Sequence, residues 1–574
     1  MRGKKIIAFL LTAVTLFEQM SVCCTAGEAE TVSISAENSF AVCDGWGTAL
    51  YRWGERLGEN DELMEQAAAL LYGDDGLDMN IIRYNIGGGD SPEHSHFTDS
   101  DTVIPPWWSA ETLDENSMSF TISPQDKAQI AALKTTAAAA GDGAKIELYS
   151  FSPPYFMTES GCTAGAVYSG YDNIKSSCFD DHAKYLADVT AYLRKSGLKV
   201  SSISPMNEPS SYHWKAGGTM QEGCHVSQGA AQSKLIEELR SALDKNGSKD
   251  VKIAAADEAD LKAAADGYSA LKTKAKKAVG RLNVHSTDKA SQEKYLTASA
   301  GKNSWITEAD GLYTVGSDAG EMSAALGLGR QMIADLTNAE ASAWVMRQAV
   351  TNSGSGLGLI HENADNTGLE LTQRYYAYGQ FSRYIHAGST LIRADENTIA
   401  SYDMKTQTLS ITALNCSGEN KTVRFITDGY DILKSGKVSA VRTSGQADGG
   451  EHWQSLDNAP KLYRSGFSAE LAPYSITTFT VSGVMLRSDG NIGDVNDDGF
   501  INVTDISLTA AHVKSIKALS AEKQLLADVN GDGSVNVSDI ALIAAQVKGI
   551  RRIERSSRYT EDELLTDEET TSDM

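Results

Sequence analysis

Residues 201–209 read SSISPMNEP, a short run of small and apolar residues that stops on Asn207, Glu208 and a proline. Such a run reads as a β-strand that ends in a loop, because proline cannot continue the ladder. Residues 304–310, SWITEAD, repeat the form and end on Glu308. Outward from these two, comparable runs fall at 44–50, 80–86, 145–152, 251–258, 281–286 and 343–350. Amphipathic segments at 61–71, 124–139, 179–195 and 231–245 lie between them. Eight strands alternating with helices predict an α/β fold, a (β/α)8 TIM barrel. A doubly wound open sheet is the rival, but no glycine-rich phosphate turn follows the first strand.

In such a barrel the chemistry sits at the C-terminal ends of the strands. Strand four ends on Glu208 and strand seven on Glu308, so the two carboxylates would face each other across the mouth. Cleaving a glycosidic bond needs this pair, one acid for the leaving oxygen and one carboxylate on the other face of the sugar. At about 5–5.5 Å apart the second acts as nucleophile and configuration is retained. Glu208 is then the acid/base, its pKa raised by its neighbour, and Glu308 the ionised nucleophile. Arg83, at the end of strand two, would hold Glu308 ionised. Asn207 would bond a sugar hydroxyl. His285, ending strand six, would either orient Glu308 or be a satisfied core histidine. Tyr155, Trp214 and Trp344 are candidate stacking surfaces, with Trp53, Trp107 and Trp108 also available.

The C-terminal region is duplicated. Residues 493–516, GDVNDDGFINVTDISLTAAHVKSI, align with 527–550, ADVNGDGSVNVSDIALIAAQVKGI. Each copy carries oxygen side chains at loop positions 1, 3, 5, 9 and 12, with glycine at position 6. Calcium wants six to eight oxygens, and the glycine permits the turn that converges them. The expected ligands are Asp494, Asn496, Asp498, Asn502, Asp505 and the Phe500 carbonyl. In the second loop they are Asp528, Asn530, Asp532, Asn536, Asp539 and the Ser534 carbonyl. A short helix with an apolar face follows each loop. This pattern resembles the dockerin module of cellulosome enzymes, which implies two bound calcium ions and a cohesin module on a scaffold protein as partner. The same resemblance gives partner choice to loop positions 10 and 11, here Val503-Thr504 and Val537-Ser538.

Composition bounds the setting. Lys4-Lys5, the apolar run 6–17 and the small residues up to Ala26 read as a secretory signal, too short to span a bilayer. No later run qualifies as a membrane span, so a secreted, extracellular protein is expected. A net charge of −25 opposes binding to nucleic acid. Five cysteines remain after the signal, too few for a disulfide scaffold, and spacing alone does not pair them.

Several strings together resemble glycoside hydrolase family 30. They are Gly45-Trp46-Gly47-Thr48, Arg83-Tyr84-Asn85-Ile86-Gly87-Gly88-Gly89-Asp90, Ser152-Pro153-Pro154-Tyr155, Asn207-Glu208-Pro209, Gln221-Glu222-Gly223-Cys224 and Trp305-Ile306-Thr307-Glu308. The glycine turn and the Gln-Glu-Gly-Cys segment are most similar to the endo-β-1,6-galactanase branch. That resemblance implies hydrolysis of β-1,6-galactan in plant arabinogalactan, with no cofactor for catalysis. Departures at Tyr51-Arg52-Trp53, at Ala309-Asp310-Gly311 and at Met346 touch the sugar-binding rim. They leave open a glucuronoxylanase, a β-1,6-glucanase, a glucosidase type or a silent glycan-binding scaffold component. Cys162 and Cys224 lie in or beside the shared strings and are expected to be bridged.

The expected organisation is a signal at 1–26 and an N-terminal strand at 27–43, the latter joining a β-sandwich. The barrel covers 44–386, the sandwich 387–483, a linker 484–492, the all-α dockerin 493–550 and an acidic disordered tail 551–574.

Overall fold

A computed structural model describes residues 29–99, 102–110, 120–311, 321–353, 355–363, 365, 367–486, 492–551, 553 and 565–566. The expected signal, most of the linker and most of the acidic tail lie outside the described residues.

Eight parallel strands close into a barrel: Gly45–Ala49, Ile81–Asn85, Lys145–Tyr149, Val200–Ser204, Lys252–Asp260, Val279–Ser286, Asn303–Ala309 and Ala343–Met346. The last strand pairs back on the first, Ala343 with Gly45 and Met346 with Thr48. Gly47 is needed at that closure, since a Cβ there would stand 2.0 Å from the Ile81 carbonyl oxygen. The outer helices start where their sequences supply a cap. Asn60 accepts from the Leu63 amide ahead of Asp61–Tyr72. Ser123 does the same for Pro124–Ala140, whose proline occupies the first turn, where no amide is needed.

The barrel interior is not uniformly apolar. Ile81, Trp305, Ala343 and Val345 fill one cluster. Beside them Arg83 and Arg281 are buried with Glu147, Asp257 and Asn283. Glu147 takes Arg83 at 3.0 Å on one oxygen and Arg281 on the other. Asp257 pairs with the far end of Arg83. Two cations meet two carboxylates, so the buried charge is balanced.

A β-sandwich follows, and the chain's N-terminus completes it. Strand Glu30–Ser35 pairs in parallel with Lys421–Asp428, and Ser39–Val42 pairs with Thr390–Asp395. Val32, Ile34, Tyr402, Phe425, Phe467 and Phe479 form its core. Sandwich residues Leu414 and Ile476 belong to the barrel's hydrophobic cluster. The Gln380 carbonyl accepts from Thr412 and Thr478, and its amide donates to Thr443. Barrel and sandwich therefore share one core.

The C-terminal unit holds helices Val503–Val513, Ala521–Ala527 and Val537–Val547 around Val495, Leu519, Ala527 and Ile543. Its middle helix also meets the sandwich, where Ala521 is buried and Leu525 half-buried. No helix among the described residues is long and apolar enough to cross a membrane.

Candidate active site

Strand four ends at Ser204, and the chain then turns sharply. Glu208 has φ of 42° and its amide donates to the Asp257 carbonyl at 2.7 Å. This left-handed backbone is costly for glutamate, and strain of this kind gathers at functional positions. The Trp214 indole donates to the Glu208 carbonyl at 2.8 Å, which fixes the turn. A Cβ on Gly223 would stand 2.1 Å from the Trp214 ring, so only glycine lets that ring lie there. Trp214 is thus a buried clamp on the acid's backbone rather than an open stacking surface.

Glu308 lies on strand seven, and one imidazole reaches both carboxylates. His285 Nδ1 is 3.1 Å from Glu208 Oε1, and its Nε2 is 3.9 Å from Glu308 Oε2. The same Nε2 is 3.4 Å from Asp257 Oδ1. Burial pushes the His285 pKa down, but the Glu308 charge and the bonds to Asp257 and Glu208 push it well above the ordinary value. Burial raises Glu208, yet the bond and charge of His285 outweigh it and leave it lowered. Glu308 is raised, by burial first, against the charges of His285 and Arg347. This ordering reverses the one expected from sequence, in which Glu208 was the raised group. The reason is His285, whose hydrogen bond goes to Glu208 and whose position relative to the two acids no spacing reveals.

Arg83 acts on Glu308 in the expected sense, its charge lowering that pKa, but from a distance. It is fully buried, and its donors go to Glu147, to Asp257 and to the Thr307 carbonyl. It supports the strand that carries Glu308 and touches Glu308 only through space. Trp344 is fully buried and donates to Asp335 at 3.0 Å, on the helix Met322–Ala339 outside the barrel. It faces away from the mouth, so it offers no sugar surface. Asn207 is buried beside Glu208 with both amide atoms unpartnered. Tyr155 is half-buried at the rim, its amide bonded to the Gly88 carbonyl at 3.2 Å.

Further side chains of the mouth bear no catalytic signature in the sequence. Glu258 has its pKa pushed up to about 7 by burial, against its bonds from Ser210. Arg347 pairs with Asp310 at 2.8 Å. Both line a cleft of about 420 Å³ together with Arg52, Gln348 and Asn352. Its lining is mostly polar. Asp310 lies in the departure at 309–311, and Arg347 directly follows Met346.

The expected bridge is absent: Cys162 and Cys224 are both free thiols. Cys162 Sγ lies 3.2 Å from His96 Nε2, and Cys224 Sγ donates to the His225 carbonyl at 3.5 Å. Each sulfur is turned to a different partner.

In the calcium-type loops the two copies repeat most of their bonds, though the Val495 amide donates to Asp505 and the Val529 amide to the Ala527 carbonyl. Asp494 accepts from the amides of Asp498 and Gly499, and Asp528 from those of Asp532 and Gly533. Asn502 and Asn536 cap the following helices, with Asp505 and Asp539 closing each capping box. The set is oxygen only, which fits a hard cation.

Residues 38–309 match the family described as O-glycosyl hydrolase family 30, and residues 492–548 match the dockerin type I domain. The chain is 28% identical over 485 residues to an endo-β-1,6-galactanase of Hypocrea rufa, spanning 80% of this chain and 95% of that protein. It is 26% identical over 372 residues to an exo-β-1,6-galactobiohydrolase of Bifidobacterium longum subsp. longum, spanning 49% of this chain and 24% of that protein. Among solved structures, a conserved exported protein from Bacteroides fragilis superposes with a TM-score of 0.64 at 18% identity. That match covers 79% of this chain and all of that one. The catalytic domain of GH30 xylanase C from Talaromyces cellulolyticus gives 0.61 at 17% identity, over 79% of this chain and 100% of that one. These last two likenesses establish the fold.

Proposed function

From a chain that is a glycoside hydrolase with a family 30 domain and a type I dockerin, we propose a secreted, retaining endo-glycosidase that cuts β-1,6-galactan. One observation carries the reaction: Glu208 and Glu308, from strands four and seven, reach the same imidazole. Glu308 attacks the anomeric carbon, and Glu208 protonates the leaving oxygen and then activates water. In the free protein the acid's proton rests on His285, 3.1 Å from Glu208. Sugar binding removes water from Glu208, favours its neutral form and draws that proton across. Asn207, with both amide atoms unpartnered, takes a substrate hydroxyl. The substrate class rests on the Hypocrea rufa relative, which spans most of both chains.

Product analysis on β-1,6-galactan, glucuronoxylan and β-1,6-glucan tests the specificity, with the anomeric form of the first product read by NMR. Short β-anomeric galacto-oligosaccharides are expected. Glu208→Gln and Glu308→Gln should each lower hydrolysis by about 10²–10⁴ while leaving the melting temperature near that of the parent. Activity retained in either variant would remove that residue from the assignment.

The tail's ligands are Asp494, Asn496, Asp498, Asn502, Asp505 and the Phe500 carbonyl, then Asp528, Asn530, Asp532, Asn536, Asp539 and the Ser534 carbonyl. Two calcium ions held there would order the loops, and a cohesin module would dock on either of two near-symmetric faces, one carrying Val503 and the other Val537. Both valines are about two-thirds exposed, at equivalent positions of the two copies.

A further inference from the structure

One cluster on the rim lies outside the carboxylate pair. Asp90, His94 and His96, from the loop after strand two, meet Cys162 from the loop after strand three. One ligating atom from each lies within 4.8 Å of the other three. Asp90 Oδ2 is 3.1 Å from His94 Nδ1 and 2.9 Å from His96 Nε2. Cys162 Sγ is 3.2 Å from that same Nε2. A tetrahedral zinc site with bonds of about 2.0–2.3 Å has edges of roughly 3.3–3.7 Å, so these sit a few tenths of an ångström inside it.

The outer bonds orient the set. His96 Nδ1 is 2.6 Å from the Gly218 carbonyl, and because a carbonyl only accepts, Nδ1 carries the proton. In the neutral ring Nε2 then presents a lone pair to Asp90 Oδ2. The Cys162 thiol can donate to Nε2 and His94 Nδ1 to Oδ2, yet Nε2 and Oδ2 still face each other at 2.9 Å with no proton between them. A second proton on His96 would answer Asp90 alone, whereas His94 and the sulfur converge on the same point. The remaining Asp90 oxygen is taken by the Thr163 amide at 3.1 Å, which leaves Oδ2 for the cluster. Partners of this kind fix the tautomer and direction of metal ligands.

We propose that Asp90, His94, His96 and Cys162 bind one divalent transition-metal ion of the zinc class. A thiolate with two imidazoles selects a soft or borderline cation over calcium or magnesium. The thiol proton leaves to solvent on binding, and thiolate plus carboxylate balance the two charges of the ion. The ion would be structural, with four protein ligands. It ties the loops after strands two and three to the 218–223 segment, which His96 and Thr98 already grip through the Gly218 and Thr219 carbonyls. That segment ends at Gly223, under the ring that holds the Glu208 carbonyl.

The test uses the full chain, stripped with a chelator, resupplied with calcium and titrated with cobalt(II), then zinc. Cobalt should give a thiolate charge-transfer band that saturates at one equivalent and is displaced by zinc. Zinc should slow alkylation of Cys162, mapped by peptide mass, by about tenfold or more. Cys162→Ser should abolish the band, and His96→Gln should weaken cobalt binding at least about tenfold, with circular dichroism melts reporting on folding. If both variants misfold, His94→Gln, at the exposed member of the cluster, should weaken cobalt binding instead. Absence of the band, equal labelling of Cys162 with and without zinc, or a Cys162–Cys224 disulfide in the purified protein would overturn the site.

Discussion

At His285 three carboxylates compete for one imidazolium, and that competition sets the protonation of the mouth. Its raised pKa keeps the ring charged at neutral pH, and Glu208 is ionised because of it. Replacing it with asparagine removes both the charge and the stored proton. In His285→Asn the alkaline limb of kcat/KM should move to lower pH, because the acid then titrates as an isolated buried carboxyl. Glu308 loses its strongest ionising partner, so the acid limb should move to higher pH and the bell should narrow. An unchanged profile on a folded variant would deny His285 this role. Below the mouth, Glu147→Gln leaves Arg83 and Arg281 short of a counter-charge. A loss of about 3–5 kcal/mol in denaturant unfolding is expected. Glu308 was legible because it lies at the end of a strand, and Glu208 because Pro209 marks the turn just past one. Trp344 misled because a strand buried on both faces has no alternation to say which way a ring points.

The elements were the most legible level. Each strand of the barrel falls on an expected run, because β-type stretches between turn residues carry their own boundaries. Register and bulges did not show, and a bulge at Ala256/Glu258 decides that Asp257 points under His285. The loops of the tail were readable for another reason, since duplication lets each copy verify the other. There Asp505 and Asp539 each close a capping box, and as proposed ligands each would also offer an oxygen to the ion. Chelating calcium should therefore lower helical circular dichroism from this region and abolish cohesin binding, with hydrolysis retained. Hydrolysis lost at the same chelator concentration would tie the tail to the barrel. Restoration by zinc alone would point instead to the rim cluster.

Across the whole molecule, barrel and sandwich behave as one body, because Leu414 and Ile476 lie in the barrel's own core. The sequence shows where strands resume after residue 387 but not that they share a core, since that depends on which faces meet. Removing residues 27–43 strips Val32 and Ile34 from the sandwich and bares the edge of Lys421–Asp428. At about 1.5–3 kcal/mol per buried side chain, the loss should be roughly 3–6 kcal/mol. Scanning calorimetry should show a single transition at lower temperature for barrel and sandwich together. Two separate transitions would contradict a shared core.

The pairing of Glu30–Ser35 with Lys421–Asp428 also bears on how the chain is made. Ser35 must wait for Asp428, 393 residues later, before it finds its partner. Until then the earliest strand stays unpaired while the ribosome extends the chain. A polypeptide that postpones closure in this way remains threadable through a narrow translocation pore. It also stays exposed to proteases and to strand-to-strand aggregation for the same interval.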